Sequence, residues 1–320
     1  MQPTQGPCLA RAARREFGRD EAGPPDPKLP GFVRDLVRPY GNAPREELLT
    51  VPAGHAYADL AEPLIGEVVL PGGPVDLLVL VSGIHDVQLA RPTAAYLSHV
   101  CPGRPISFAV CDQGSAGPFT ALRLLREHIA AGDARRALLV VAEQPTLHYE
   151  PAPGPGVVPT RAAAVALLFE PGDGLALTAF RQHARVPAAD ADALVRQGIA
   201  DLAGDHEDVT VVLGHGLSPD LATTARPVSP VAAPSAGTGT APSAGPGPEA
   251  RRAPAGLPFT GVWWELAGLL DGPVPPGRVL LADHDPDLGY VCLAALDPVR
   301  VPVAAAPSAA PSAAGRGGAR

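Results

Sequence analysis

Lysine is almost missing from this sequence: the 320 residues hold one, Lys28, and arginine supplies the remaining positive charge. With a formal net charge of −8, there is no basic surface for a nucleic-acid partner. Cysteine is sparse too. Cys8, Cys101, Cys111 and Cys292 form no C-x-x-C pair, so neither a zinc site nor a redox dithiol is expected. No apolar run approaches the roughly 20 residues that span a bilayer. The opening MQPTQGPCLARAARREF lacks the apolar stretch of a signal peptide. The expectation is a reduced, cytoplasmic protein with no membrane segment and no metal. Aromatic residues make up only 4%, and asparagine occurs once, at Asn42.

What is present is 46% apolar residue with 40 prolines and 35 glycines, enough to bury two fused half-domains around one core. Residues 1–50 are polar and proline-rich, with one short helix predicted over Leu9–Phe17 and little order expected elsewhere. Short runs such as Pro74–Val81, Ile106–Cys111, Ala137–Ala142 and Ala162–Phe169 have the length and branching of buried strands. Between them, Ala56–Leu64, Thr93–Val100 and Gly117–Ala131 read as helices, the last with Pro118 suited to its first turn. The alternation predicts a layered α/β fold. It resumes after Glu170 with strands over Leu175–Arg181 and Val209–Leu213 and a helix over Asp190–Leu202. A helix over Gly261–Leu270 and strands over Arg278–Ala282 and Tyr290–Ala295 close the pattern. Residues 223–255 and 301–320 are low in complexity, rich in Pro, Ala, Ser and Gly, and are predicted to be flexible.

Two stretches carry a resemblance. DLLVLVSGIHDVQLARPTAAYLSHV and FAVCDQGSAGPFTALRLLREHIAAGDARRALLVVAEQ resemble, in order and spacing, the first half of 3-oxoacyl-acyl-carrier-protein synthase III of the thiolase-like superfamily. VVLGHGLSPDL and WWELAGLLDGPVPPGRVLLADHDPDLGYVCLAAL are similar to parts of its second half. The resemblance implies a thiolase-like fold: two pseudo-repeated α/β halves, 51–170 and 171–300, in a five-layer α-β-α-β-α arrangement. It implies an acyl-CoA or acyl-carrier-protein substrate, no further cofactor, and a homodimer or a heterodimer with a related synthase. Polyketide or fatty-acid-like metabolism is the setting it implies.

Aligned on Ala121-Leu122, Ser115-Ala116-Gly117 falls on the Cys–small–Gly step where the family carries its nucleophile. A serine at a helix start would meet backbone N–H groups that favour developing negative charge; it would serve equally as an N-cap. A different gap placement makes Cys111 the nucleophile, at a strand end and expected to be the more buried of the two. His215, between glycines after a strand, falls where the family has its catalytic histidine. The family's asparagine has no counterpart: the matching region reads GLPFTGVWWEL. This weakens decarboxylative condensation more than simple acyl transfer. The glycine-rich loop before the last strand is altered to DHDPDLGY, where His284 is a polar candidate or part of a solvated turn. His85 and Asp86 read as a strand-end turn, Glu143 as a structural residue or neighbour of the site, and Trp263 and Trp264 as core anchors. Two functions stay open: an acyltransferase with an acyl-enzyme intermediate, and a non-catalytic thiolase-fold partner subunit.

Overall fold

The computed structural model describes residues 7–18, 23–69, 73–151, 158–221 and 249–299. Ten strands form one hydrogen-bonded series in which a five-strand order appears twice. The first half holds β1 (Cys8–Phe17), β2 (Leu77–Ser82), β3 (Ile106–Cys111), β4 (Ala137–Glu143) and β5 (Ala162–Glu170), ordered β3-β2-β4-β5-β1. The second holds β6 (Gly174–His183), β7 (Val209–Leu213), β8 (Glu249–Arg252), β9 (Arg278–Asp285) and β10 (Tyr290–Val299), ordered β8-β7-β9-β10-β6. In both, the second strand of the order, β2 or β7, runs parallel to its two neighbours and the remaining pairings are antiparallel. The halves join where β1 meets β6, at Cys8↔Ala176 and Leu9↔Leu175, with the Leu177 N–H donating to the Pro7 carbonyl beside them.

The repeat extends to side chains. Arg136, just before β4, pairs with Glu170 at 2.6 Å; Arg278, opening β9, pairs with Asp297 at 2.6 Å. Each arginine sits at the start of the fourth strand of its half and bonds to the end of the fifth.

Helices follow the same plan: α2 (Tyr57–Val68), α3 (Thr93–Val100) and α4 (Gly117–Ala131) in the first half, α5 (Ala188–Ala203) and α6 (Gly261–Gly268) in the second. Strand alternation assigns the layers. Odd positions such as Val79, Leu139 and Leu281 join Phe119, Leu122 and Leu125 of α4 and Trp263 and Leu266 of α6 in a central core. Even positions of β2, β4 and β5 pack under α2 and α3, and the far face of the second sheet packs under α5. The fold is thus thiolase-like, with five layers of α, β, α, β and α. Phe119 meets Trp263 edge to face at 5.0 Å, which locks the two middle helices together.

Three expectations change. Cys8–Phe17 is a strand, not a helix, and completes the first sheet against β5. Its alanines and arginines favour helix in isolation, but pairing on both edges overrides propensity. Arg14 is absorbed by the Trp264 carbonyl at 2.8 Å and by Asp271, and Arg11 by the Val68 carbonyl at 3.3 Å. Within residues 1–50, α1 (Leu29–Val37) buries Leu29, Val33 and Val37 with Leu49. At the end of the 223–255 stretch, Glu249–Arg252 is β8, parallel to β7; residues 223–248 and 300–320 lie outside the described residues.

Candidate functional site

The carboxyl ends of the parallel strands, with the turns that follow them, enclose a cavity of about 350 Å³. Ser115, His215, His284 and Asp285 all contribute to its wall, with Gly83, Ile84 and Phe259.

Ser115 lies in a single 3-10 turn, Gly114–Ala116, that runs directly into α4. It is 7% exposed. It does not cap the helix: Ala116 holds that position, without a side-chain cap bond. The Ser115 backbone N–H donates to Asp285 Oδ2 at 2.8 Å in a buried contact. The Ser115 amide is thus already paired in this structure. Gly114 makes the contact possible. It sits at φ +50°, and a Cβ there would lie 1.8 Å from Asp285 Oδ2. The other Asp285 oxygen accepts the N–H groups of Asp287 at 3.1 Å and Leu288 at 2.9 Å.

Cys111 is exposed, contrary to the expectation that it is the more buried candidate. Val110 faces the central core, so the alternation of β3 turns Cys111 away from it. Its Sγ lies 3.6 Å from Ser82 Oγ. It lines a second cavity of about 710 Å³ with Phe32, His85, Asp86 and Arg91. The two cavities share Gly83, Ile84, Asp112 and Tyr149 in their walls. Burial and the neighbouring His148 push His85 down to about 4, so it stays neutral.

His215 is exposed at the rim. Among the described residues no hydrogen bond joins it to Ser115. His284 is 3% exposed. Its Nδ1 lies 3.2 Å from the Gly216 carbonyl, which can only accept, so Nδ1 donates there. Nε2 has no partner among the described residues. Asp285 faces Ser115 in the central layer, so alternation along β9 puts the His284 imidazole on the opposite face. His284 is therefore not placed as a direct partner of Ser115.

Two further buried carboxyl groups, Asp283 and Glu143, lie at the ends of β9 and β4. Burial raises Asp283 to about 8, against bonds from the His284 and Gly216 N–H groups. A Cβ on Gly214 would lie 1.9 Å from that carboxyl. Burial also raises Glu143 to about 7. Glu143 accepts from the Phe259 N–H at 3.0 Å, the Thr260 N–H at 3.1 Å and the Thr260 hydroxyl. Phe259 and Thr260 stand in the segment matched to the family's asparagine, and the Thr260 side chain is turned into Glu143. Glu143 and Asp285 are equivalent: each ends the fourth strand of its half, seven residues after the arginine of the matching ion pair.

No family model matches the chain, and no curated protein matches it in sequence. Solved structures match its fold. ChlB3, described as an acyltransferase, aligns with TM-score 0.57 and 18% identity over 92% of this chain and 98% of its own. AbyA1, a tetronic acid condensing enzyme, gives 0.56 and 15% over 91% and 99%. The 3-oxoacyl-(acyl carrier protein) synthase III FabH from Pseudomonas aeruginosa gives 0.53 and 14% over 93% and 100%. The chain has the thiolase-like fold of acyl-transferring and condensing enzymes, in the form seen in synthase III. Among the described residues no helix is long and apolar enough to cross a membrane, and no group of three metal-ligating side chains occurs.

Proposed function

We propose that the chain is a ketosynthase III-like acyltransferase in which Ser115 carries the acyl group. The observation that supports this most is the placement of Ser115, buried at the start of α4 and in the wall of a cavity whose rim holds His215. An acyl group arrives as a thioester on coenzyme A or a carrier protein. Ser115 Oγ attacks the carbonyl carbon, an O–C bond forms and the C–S bond breaks. The serine proton passes to His215, which swings inward from the rim, and from there to the departing thiolate. The acyl group then moves to a second acceptor. Decarboxylative condensation is disfavoured, because Phe259 and Thr260 offer no free amide side chain where the family has asparagine. The nearby structures include one described as an acyltransferase, which agrees with this choice. Polyketide-type metabolism in the cytoplasm is the setting we propose.

A second reading has its own observation. With Asp285 on the Ser115 N–H, the chain fits a non-catalytic partner subunit retained for its interface. In either reading, assembly with itself or a related synthase runs through β3, an edge strand whose Ile106 is 67% exposed.

Incubation with a panel of acyl-CoA thioesters, followed by intact mass measurement, separates the readings. An adduct that resists neutral hydroxylamine, is lost in Ser115→Ala and is kept in Cys111→Ala supports the transferase. No adduct across the panel supports the partner subunit. His215→Ala should slow acylation by roughly 10²–10⁴-fold.

A further inference from the structure

We infer that Asp285 is a latch on the nucleophile turn: its carboxylate occupies the backbone donor that an acyl transfer to Ser115 requires, and acylation proceeds only when it lets go. The inference rests on the reading of Ser115 as acyl carrier. An attacking serine generates an oxyanion on the substrate carbonyl, and N–H groups fixed near the nucleophile are what stabilise it. Here the Ser115 N–H is bonded to Asp285 Oδ2 at 2.8 Å. A carboxylate in that place removes the donor and sets like charge against the developing O⁻.

The contact is built rather than incidental. Gly114 at φ +50° leaves open the space that Asp285 Oδ2 fills. Asp287 and Leu288 hold the other oxygen from within the β9–β10 hairpin. Compared with its equivalent, however, the attachment is slight. Glu143 holds the start of α6 by two N–H groups and a hydroxyl, whereas Asp285 holds the start of α4 by one N–H. The hairpin tip that carries Asp285 also exposes Leu288, at 44%. A thioester entering the cavity meets Asp285, Asp287 and Leu288 in its wall, so substrate entry and latch release act on the same tip.

The test compares the full-length parent with Asp285→Ala and Asp285→Asn, using acetyl and benzoyl thioesters of N-acetylcysteamine and intact mass as the readout. Asp285→Ala should acylate about 10²-fold faster than the parent, the inverse of the loss from removing one oxyanion donor. Asp285→Asn, which keeps an acceptor oxygen without the charge, should fall between them. Ser115→Ala added to Asp285→Ala should abolish the adduct. If the parent acylates on Ser115 and Asp285→Ala is no faster, the latch is overturned and the acyl-carrier reading stands. An adduct that persists in the double variant overturns both, as does its absence from all three proteins. Loss of structure alone does not create a faster, Ser115-dependent reaction. A circular-dichroism spectrum matching the parent identifies folded variants, and Asp285→Asn carries the comparison if Asp285→Ala fails it.

Discussion

The starts of α4 and α6 are the same place in two halves of one fold, and they are fastened differently. Each follows the third strand of its half and points into the central layer. Each is met by the last residue of the fourth strand of the other half: Glu143 at α6, Asp285 at α4. At α6 the carboxylate takes three donors and is 1% exposed, so the turn serves as a structural tie between the halves. At α4 it takes one donor from the helix start, beside a cavity and next to a serine, and two from its own hairpin. The difference teaches that one position of the repeat can be used in two ways: three donors tie Glu143 to the start of α6, and one ties Asp285 to the start of α4 beside a cavity.

The strongest way to break the symmetry is through its hydrophobic centre. Trp263→Ala should lower unfolding free energy by about 3–5 kcal/mol in urea melts, and Phe119→Ala by a similar amount. The double variant should fall short of their sum by about 0.5–1.5 kcal/mol, the worth of the edge-to-face pair. Next come the two carboxylates. Glu143→Ala leaves two buried N–H groups and a hydroxyl unpaired and should cost about 3 kcal/mol; Asp285→Ala unpairs one buried N–H, at Ser115, while the Asp287 and Leu288 N–H groups at the exposed hairpin tip turn to water, and should cost about 1 kcal/mol. Equal costs would erase the distinction between clamp and latch.

A smaller effect sharpens the electrostatics. Burial raises Asp283 to about 8 and Glu143 to about 7, well above the usual carboxylate range of the unfolded chain. Each binds more protons folded than unfolded in that interval, so stability is highest at the acid end and is lost as pH rises through it. Thermal melts should show a lower melting temperature at pH 8 than at pH 5.5. Asp283→Asn should flatten this slope without removing it, because Glu143 still titrates. A parent protein more stable at pH 8 would contradict the assignment.

Much of the fold was legible because buried parallel strands announce themselves: PVDLLVLV, ISFAVC and ALLVVA leave little room for another reading. CLARAARREF was not legible, since its strand character comes from β5 and β6 rather than from its own residues. An internal repeat was there to be read, Arg136-Ala-Leu-Leu against Arg278-Val-Leu-Leu, and it aligns Glu143 with Asp285 by count. Of the site, Ser115 and His215 could be named from the resemblance to synthase III, and both line the same cavity. The environment of Ser115 could not be read. The residue that occupies its amide lies 170 positions away, in a turn that resembles any solvated Asp-Pro-Asp. His284 drew attention as the polar candidate there, but strand alternation gives the inward position to its neighbour.

The contrast between the two helix starts is tested most directly by amide-resolved hydrogen exchange on the unmodified protein, read by NMR at Ser115, Phe259 and Thr260. The account predicts that Phe259 and Thr260 exchange only through global unfolding, with protection that tracks denaturant. Ser115 should exchange at least about tenfold faster through a local opening that denaturant barely affects. Protection at Ser115 equal to that at Thr260 would mean the Asp285 contact does not open in the native state, and the latch would be a second clamp.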